Sequence, residues 1–299
     1  MKTDKGMSRL ARGLVGVAIG AGMVSTAMGA ASVSIGISKH NLSTGGSAGN
    51  THVSAGTAEI CVFCHTPHAA DVNTAGAPLW NKRLATGGAA FTTYAATNSS
   101  TMNAVYATDG QGGGSIGSVS LACLSCHDGA QAMDNMLNAP GSGFYDVTGG
   151  GATGVAGYTW VGTGANANGQ MINATTSLAM LGKDLNNDHP IGIQYCGGGP
   201  GTANPGATCF DTDFVPPTSG TIGGQTVFWV DTGTAGRQKT DMILFNRGFP
   251  ANGTAAAGAA GTYPSVECAS CHDPHNVTNG TFLRVSNAAS AVCLSCHVK

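Results

Sequence analysis

Charge and aromatic rings are scarce in this chain: 9% of its 299 residues are charged and 6% are aromatic. Large side chains for an ordinary core are therefore few, and the 47 glycines add ordering entropy that folding must overcome. By composition alone such a chain drifts toward disorder. It has no basic run and no interleaving of basic with aromatic residues, which argues against a nucleic-acid partner. Its long apolar run, Gly13 to Met28, has 16 residues, short of the roughly 20 that span a bilayer.

That run has a recognisable setting. Lys2, Lys5, Arg9 and Arg12 precede it, and small residues Ala27, Gly29, Ala30 and Ala31 close it. The pattern predicts a secretory signal peptide over residues 1–30, with cleavage near residues 29–31. No cysteine near the cleavage point could carry a lipid, and no twin arginine is present. The expected mature protein is soluble, without a membrane span, and secreted: extracellular or at the outer cell surface, or periplasmic. Removing the leader takes four of 13 basic residues and one of 15 acidic ones (Asp4), leaving 9 against 14, a formal net of −5.

Against this sparse background one pattern recurs. Cys61-Val-Phe-Cys64-His65 returns as Cys123-Leu-Ser-Cys126-His127, Cys268-Ala-Ser-Cys271-His272 and Cys293-Leu-Ser-Cys296-His297. C-x-x-C-H is the attachment signature of c-type haem: two thiols add across the vinyl groups, and the adjacent imidazole ligates iron on one face. Structural zinc also uses paired Cys-x-x-Cys, but zinc does not explain a histidine at the same offset four times. A thioredoxin-like redox pair leaves the same histidine unexplained. Four covalent haems are predicted, and they supply the apolar mass that the chain lacks. The apoprotein is accordingly expected not to hold the fold, which circular dichroism of haem-free chain would check.

Haem iron has two axial positions, and a second histidine gives a six-coordinate, low-potential electron-transfer site. Nine histidines are present. With His65, His127, His272 and His297 as proximal ligands, His40, His52, His68, His189 and His275 remain for four distal positions. His68 and His275 follow their own attachment motifs closely. His68 is too near His65 to reach the opposite face of the same haem, so it is expected on a neighbouring one. Pro190 holds His189 extended, which suits a ligand on a loop. His40 is taken as the fourth distal ligand and His52 as spare.

The predicted fold is mostly coil with few short helices and minimal strand, a multihaem c-type cytochrome organised around a four-haem stack. Within the tetrahaem domain, residues 31–299, haems 1 and 2 fall in 31–140 and a Gly-rich segment with a distal histidine in 141–261. Haems 3 and 4 fall in 262–299. Alternation of Ser32 and Ser34 with Val33, Ile35 and Ile37 suggests an edge strand. Gly76 to Leu84, with Trp80, reads as a packing patch against haem. Residues 85–120 read as loop with at most a short helix around Met102 to Tyr106, and Ala130 to Leu137 as a short helix. Asp184, Asn186 and Asp188 resemble the start of a calcium loop but lack its glycine at position six and glutamate at position twelve. Cys196 and Cys209, alone outside the haem motifs, predict a disulfide contributing about 3 kcal/mol in an oxidising compartment.

Taken together, Lys39-His40-Asn41-Leu42-Ser43, the first motif with Thr66-Pro67-His68, Ala77-Pro-Leu-Trp80-Asn-Lys82 and the second motif with Asp128-Gly129 carry a resemblance. Asp188-His-Pro-Ile-Gly192, the third motif with Asp273-Pro-His275 and the terminal motif complete it. This order of motifs resembles the OmcE-like extracellular tetrahaem c-type cytochromes of metal-reducing microbes, the cytochrome nanowire family. The resemblance implies bis-His ligation of all four haems, little regular secondary structure and a continuous haem stack through a filament. It also implies one axial histidine donated by the neighbouring subunit, with His68 and His40 as candidates. The implied function is electron transfer, not enzymatic catalysis, with self-association into a head-to-tail homopolymer, other redox proteins as partners, and external acceptors such as metal oxides. A monomeric tetrahaem shuttle is the alternative reading. A multihaem reductase is a lesser one, because catalysis at haem needs an open axial position and the histidine supply here can close every site.

Overall fold

A hairpin signal sits in the Gly-rich middle of the chain. Thr218–Ile222 and Gln225–Val230 are β-prone and flank Gly223-Gly224, whose φ values of 58° and 79° make the two-residue turn that matches strand twist. The computed structural model describes residues 35–71, 78–84, 91–93, 116–141, 157–174, 178–249 and 261–298. In it, these two segments are strands β4 and β5 of a five-stranded antiparallel sheet, with β3 (Ile193–Gln194), β6 (Met242–Phe249) and β7 (Gly261–Val266). The order is β3-β7-β6-β5-β4. A separate pair joins β1 (His52–Ala55) to β2 (Thr159–Val161).

The expectation of minimal strand is therefore corrected. Phe228, Val230, Met242, Leu244 and Val266 from this sheet pack with Tyr195, Cys196 and Cys209 into one core. The predicted disulfide is present: Cys196 and Cys209 are bonded, with Cα atoms 5.5 Å apart. The Tyr195 hydroxyl donates to the Val215 carbonyl at 2.8 Å, and burial raises its pKa. Two smaller cores stand beside it. One joins Phe91, Ile116, Leu121, Leu124 and Leu185; the other joins Val53, Val62, Phe63 and Met136.

The α-helices that lie wholly within the described residues are α1 (Ser118–His127), α2 (Cys268–Cys271) and α3 (Ala291–Leu294). All three carry attachment cysteines. Helix α1 begins inside what the sequence suggested was loop and stops at Gly129, which takes φ 67°. The Asp128 carboxylate then accepts from the backbone of Ala130 at 2.8 Å and Gln131 at 3.0 Å, so residues 130–137 turn instead of extending a helix. The edge strand expected at 32–37 is likewise not seen in its described part. The Ser38 hydroxyl donates to the Ile35 carbonyl at 2.9 Å and accepts from the His40 N–H at 3.0 Å, closing residues 35–40 into a turn. Residues 32–34, the signal peptide and the Met102 to Tyr106 helix lie outside the described residues. Among the described residues no helix is long and apolar enough to cross a membrane.

Candidate haem-attachment sites

Each attachment motif folds into one helical turn, and the reason is local. The His65 N–H bonds the Cys61 carbonyl at 2.8 Å, His272 bonds Cys268 at 3.1 Å, and His297 bonds Cys293 at 3.0 Å, while His127 ends helix α1. A bond from residue i to i−4 sets the imidazole one turn beyond the first cysteine, on the same face. Two sulfurs and a ring thereby face one direction.

A second feature prepares the rings. The Nδ1 atoms of His65, His127 and His272 lie 2.8, 2.7 and 2.8 Å from the carbonyls of Pro78, Ala179 and Thr281. An Nδ1–H donated to a carbonyl leaves the Nε2 lone pair free for a metal. Burial lowers the pKa of both His65 and His127, which keeps the rings neutral and able to ligate.

Site one is clamped by the segment read from sequence as a packing patch. Asn81 donates through Nδ2 to the Val62 carbonyl at 2.7 Å and through its backbone to the Cys64 carbonyl at 2.8 Å. Trp80 stands edge-on to His65 with ring centroids 5.7 Å apart. Sites two and three are tied by Glu267, a buried carboxylate at the N-terminus of both helices. It accepts from the Gly117 N–H and the Ser120 hydroxyl of α1, caps α2 reciprocally with Ser270, and pairs with Arg247 at 2.8 Å. Helix N-termini favour a carboxylate there. Site four leans on the sheet: Val292 and Cys296 pack against the large core, and His297 lies 4.5 Å from the Phe214 ring, centroid to centroid. A cavity of about 590 Å³ adjoins it, lined by Val215, Asp231, Val285, Ala288, Leu294 and Ser295.

Neighbouring attachment turns influence one another. Burial and then the neighbouring Cys126 push the Cys64 thiol up to about 12. The Cys268 N–H donates to the Ser120 hydroxyl of α1 at 2.9 Å, joining the second and third turns. Cys271 in turn feels Cys293, and Cys296, raised by burial to about 12, feels Cys271.

Of the candidate distal histidines, two meet proximal ones. The His40 and His127 ring centroids are 6.2 Å apart with planes at 74°, and those of His65 and His275 are 6.2 Å apart at 17°. Two imidazoles across one metal, with metal–nitrogen bonds of about 2 Å and ring centres ~1.1 Å further out, give about 6.2 Å. Both pairs therefore fit a single intervening iron. His40 also stacks on Phe282 at 4.3 Å, with planes 5° apart. His68 and His189 are exposed, and His52 is half-buried with Nδ1 2.8 Å from the Asn50 carbonyl. Asp184, start of the calcium-like run, is exposed and its carboxylate accepts from the Asn186 backbone.

The residues that sequence reasoning missed are Asn81, Glu267 and Phe282. Glu267 had a signal, since it immediately precedes Cys268 where an N-cap belongs. No curated protein matches the chain. The family described as "Doubled CXXCH motif" matches residues 263–299, which hold the third and fourth attachment motifs. The C-terminal region is thus a paired haem-attachment unit of the multihaem c-type cytochrome kind.

Proposed function

We propose that the chain is a secreted, extracellular tetrahaem c-type cytochrome that conducts electrons and polymerises head to tail into filaments. The observation that carries the reading is the convergence of the four attachment turns: the Cys268 N–H donates to Ser120 of the second turn's helix at 2.9 Å, His275 beside the third turn lies 6.2 Å from His65 of the first, and Cys271 and Cys296 pack against one core. Bound haem supplies one-electron chemistry; the polypeptide sets spacing, ligation and exposure. Residues Cys61, Cys64 and His65, with the corresponding trios at 123–127, 268–272 and 293–297, hold the four groups. His40 serves as distal ligand opposite His127, and His275 opposite His65, in keeping with their 6.2 Å separations.

His68 and His189 face outward and are the histidines left for the remaining distal positions. Since His40 is engaged with His127, His68 is the better candidate to cross to a neighbouring subunit. A head-to-tail interface that does not close produces a fibre, and a crossing axial ligand couples assembly to haem ligation. With histidines sufficient for every axial position, the chain is an electron carrier without an enzymatic step of its own.

Electron microscopy of haem-loaded protein sheared from cells is the test. Thin filaments are expected, and His68→Ala is expected to keep its haems while losing the filaments. Discrete particles of one chain would move the function to a soluble electron shuttle. Tight binding of carbon monoxide or nitrite to native protein would replace both readings with a reductase.

A further inference from the structure

Lys82 is fully buried. Its ammonium spends its three donors on backbone carbonyls, Ala132 at 2.7 Å, Met133 at 3.0 Å and Asn135 at 3.3 Å. No carboxylate forms an ion pair with it among the described residues. Asp134 is the acid whose charge it feels, and that side chain is itself buried, with Oδ2 accepting from the Tyr158 N–H at 3.2 Å. An ammonium held on neutral carbonyls in the interior is costly, and its field is poorly screened.

The field has a direction. Lys82 follows Asn81, which bonds both Val62 and Cys64 of the first attachment turn, and the carbonyls that hold the ammonium lead into Met136, which packs with Val62, Phe63 and Cys64. At the second site a side chain of the opposite sign stands beside the ligand. Asp128, next to His127, is buried, and its carboxylate accepts two backbone N–H groups. A cation in a low-dielectric interior stabilises reduced iron, whose site carries one positive charge fewer, and an anion does the reverse.

We propose that Lys82 sets the charge at the first site, holding the haem on Cys61, Cys64 and His65 at a higher reduction potential than the haem on Cys123, Cys126 and His127. The first site is then where an electron shared by this pair rests. The proposal builds on the reading of these motifs as haem sites and adds an asymmetry within it.

The test uses the haem-loaded protein and a potentiometric titration in which NMR resonances of each haem's axial histidine report its own midpoint. Lys82→Gln keeps an N–H donor for the carbonyls and removes the charge. Its first-site reduction equilibrium is expected to fall about tenfold, which is 59 mV for one electron, with a smaller change at the second site. Lys82→Arg, which retains the charge, is expected to keep the native value. An unchanged first-site midpoint in a fully loaded Lys82→Gln protein, or an equal fall in Lys82→Arg, would overturn the proposal. If Lys82→Gln fails to take up haem, the native protein decides: the first site must be reduced before the second, and the reverse order overturns the assignment. A pyridine haemochrome count on native protein is read separately, since fewer than four haems per chain defeats the tetrahaem reading and not the role of Lys82.

Discussion

Arg247 and Glu267 form an ion pair 2.8 Å long in the interior, and the carboxylate simultaneously holds the N-termini of the helices bearing Cys123 and Cys268. Strand β6 supplies the arginine and the residue immediately after β7 supplies the glutamate, so the sheet fixes the spacing of two candidate attachment sites. Burial raises the Glu267 pKa, while Arg247 and the Ser120 hydroxyl work against that rise.

Glu267→Ala is expected to destabilise the protein by about 3–5 kcal/mol, because a buried guanidinium loses the carboxylate it pairs with. Chemical unfolding of the haem-loaded protein measures this. Arg247→Met in the same background should recover part of the loss, since the uncompensated charge goes with it; no recovery would mean that helix capping dominates.

Removing the disulfide has a different signature. Cys196→Ser with Cys209→Ser should lower unfolding free energy by about 3 kcal/mol through loop entropy, leaving haem content unchanged. The bond closes a loop within the sheet core, against which Cys271 and Cys296 also pack. Loss of haem in the double variant would show that the core governs loading at sites three and four.

Distal ligation is checked by spin state. His40→Ala and His275→Ala should each turn one haem of the native set from low to high spin in electron paramagnetic resonance, with added imidazole restoring it. His52→Ala should leave the spectrum unchanged. A silent His275→Ala would break the pairing inferred from its 6.2 Å approach to His65.

The pH dependence follows from His40. Burial, and then the neighbouring His127, lower its pKa from 6.5 to about 4. A base whose folded value is depressed contributes stability that is fully present above pH 6.5 and is lost as pH falls from there through about 4. Urea midpoints should therefore fall between pH 6.5 and 4, more steeply in the native protein than in His40→Phe. The lowered pKa values of His65 and His127 act with the same sign.

The sequence alone made the attachment motif legible, because C-x-x-C-H is a local pattern: both thiols and the imidazole must lie within one turn, whatever surrounds them. It also determined the Cys196–Cys209 bond, since no other cysteines were left over. It did not determine the sheet. Gly223-Gly224 and the runs Thr226–Val230 and Met242–Phe249 carried strand signals, but the abundance of glycine hid them, and pairing β7 with β3 joins segments about 70 residues apart. Histidine pairing was equally beyond it. His40 meets His127, and His275 meets His65, across segments far apart in the chain. Lys82 shows the division most plainly: on paper it is one lysine after an asparagine, and only tertiary packing removes it from water and seats its ammonium on the carbonyls of Ala132, Met133 and Asn135. Attachment chemistry is set by spacing along the chain, whereas ligand pairing and electrostatic asymmetry depend on distances through space, which no local pattern encodes.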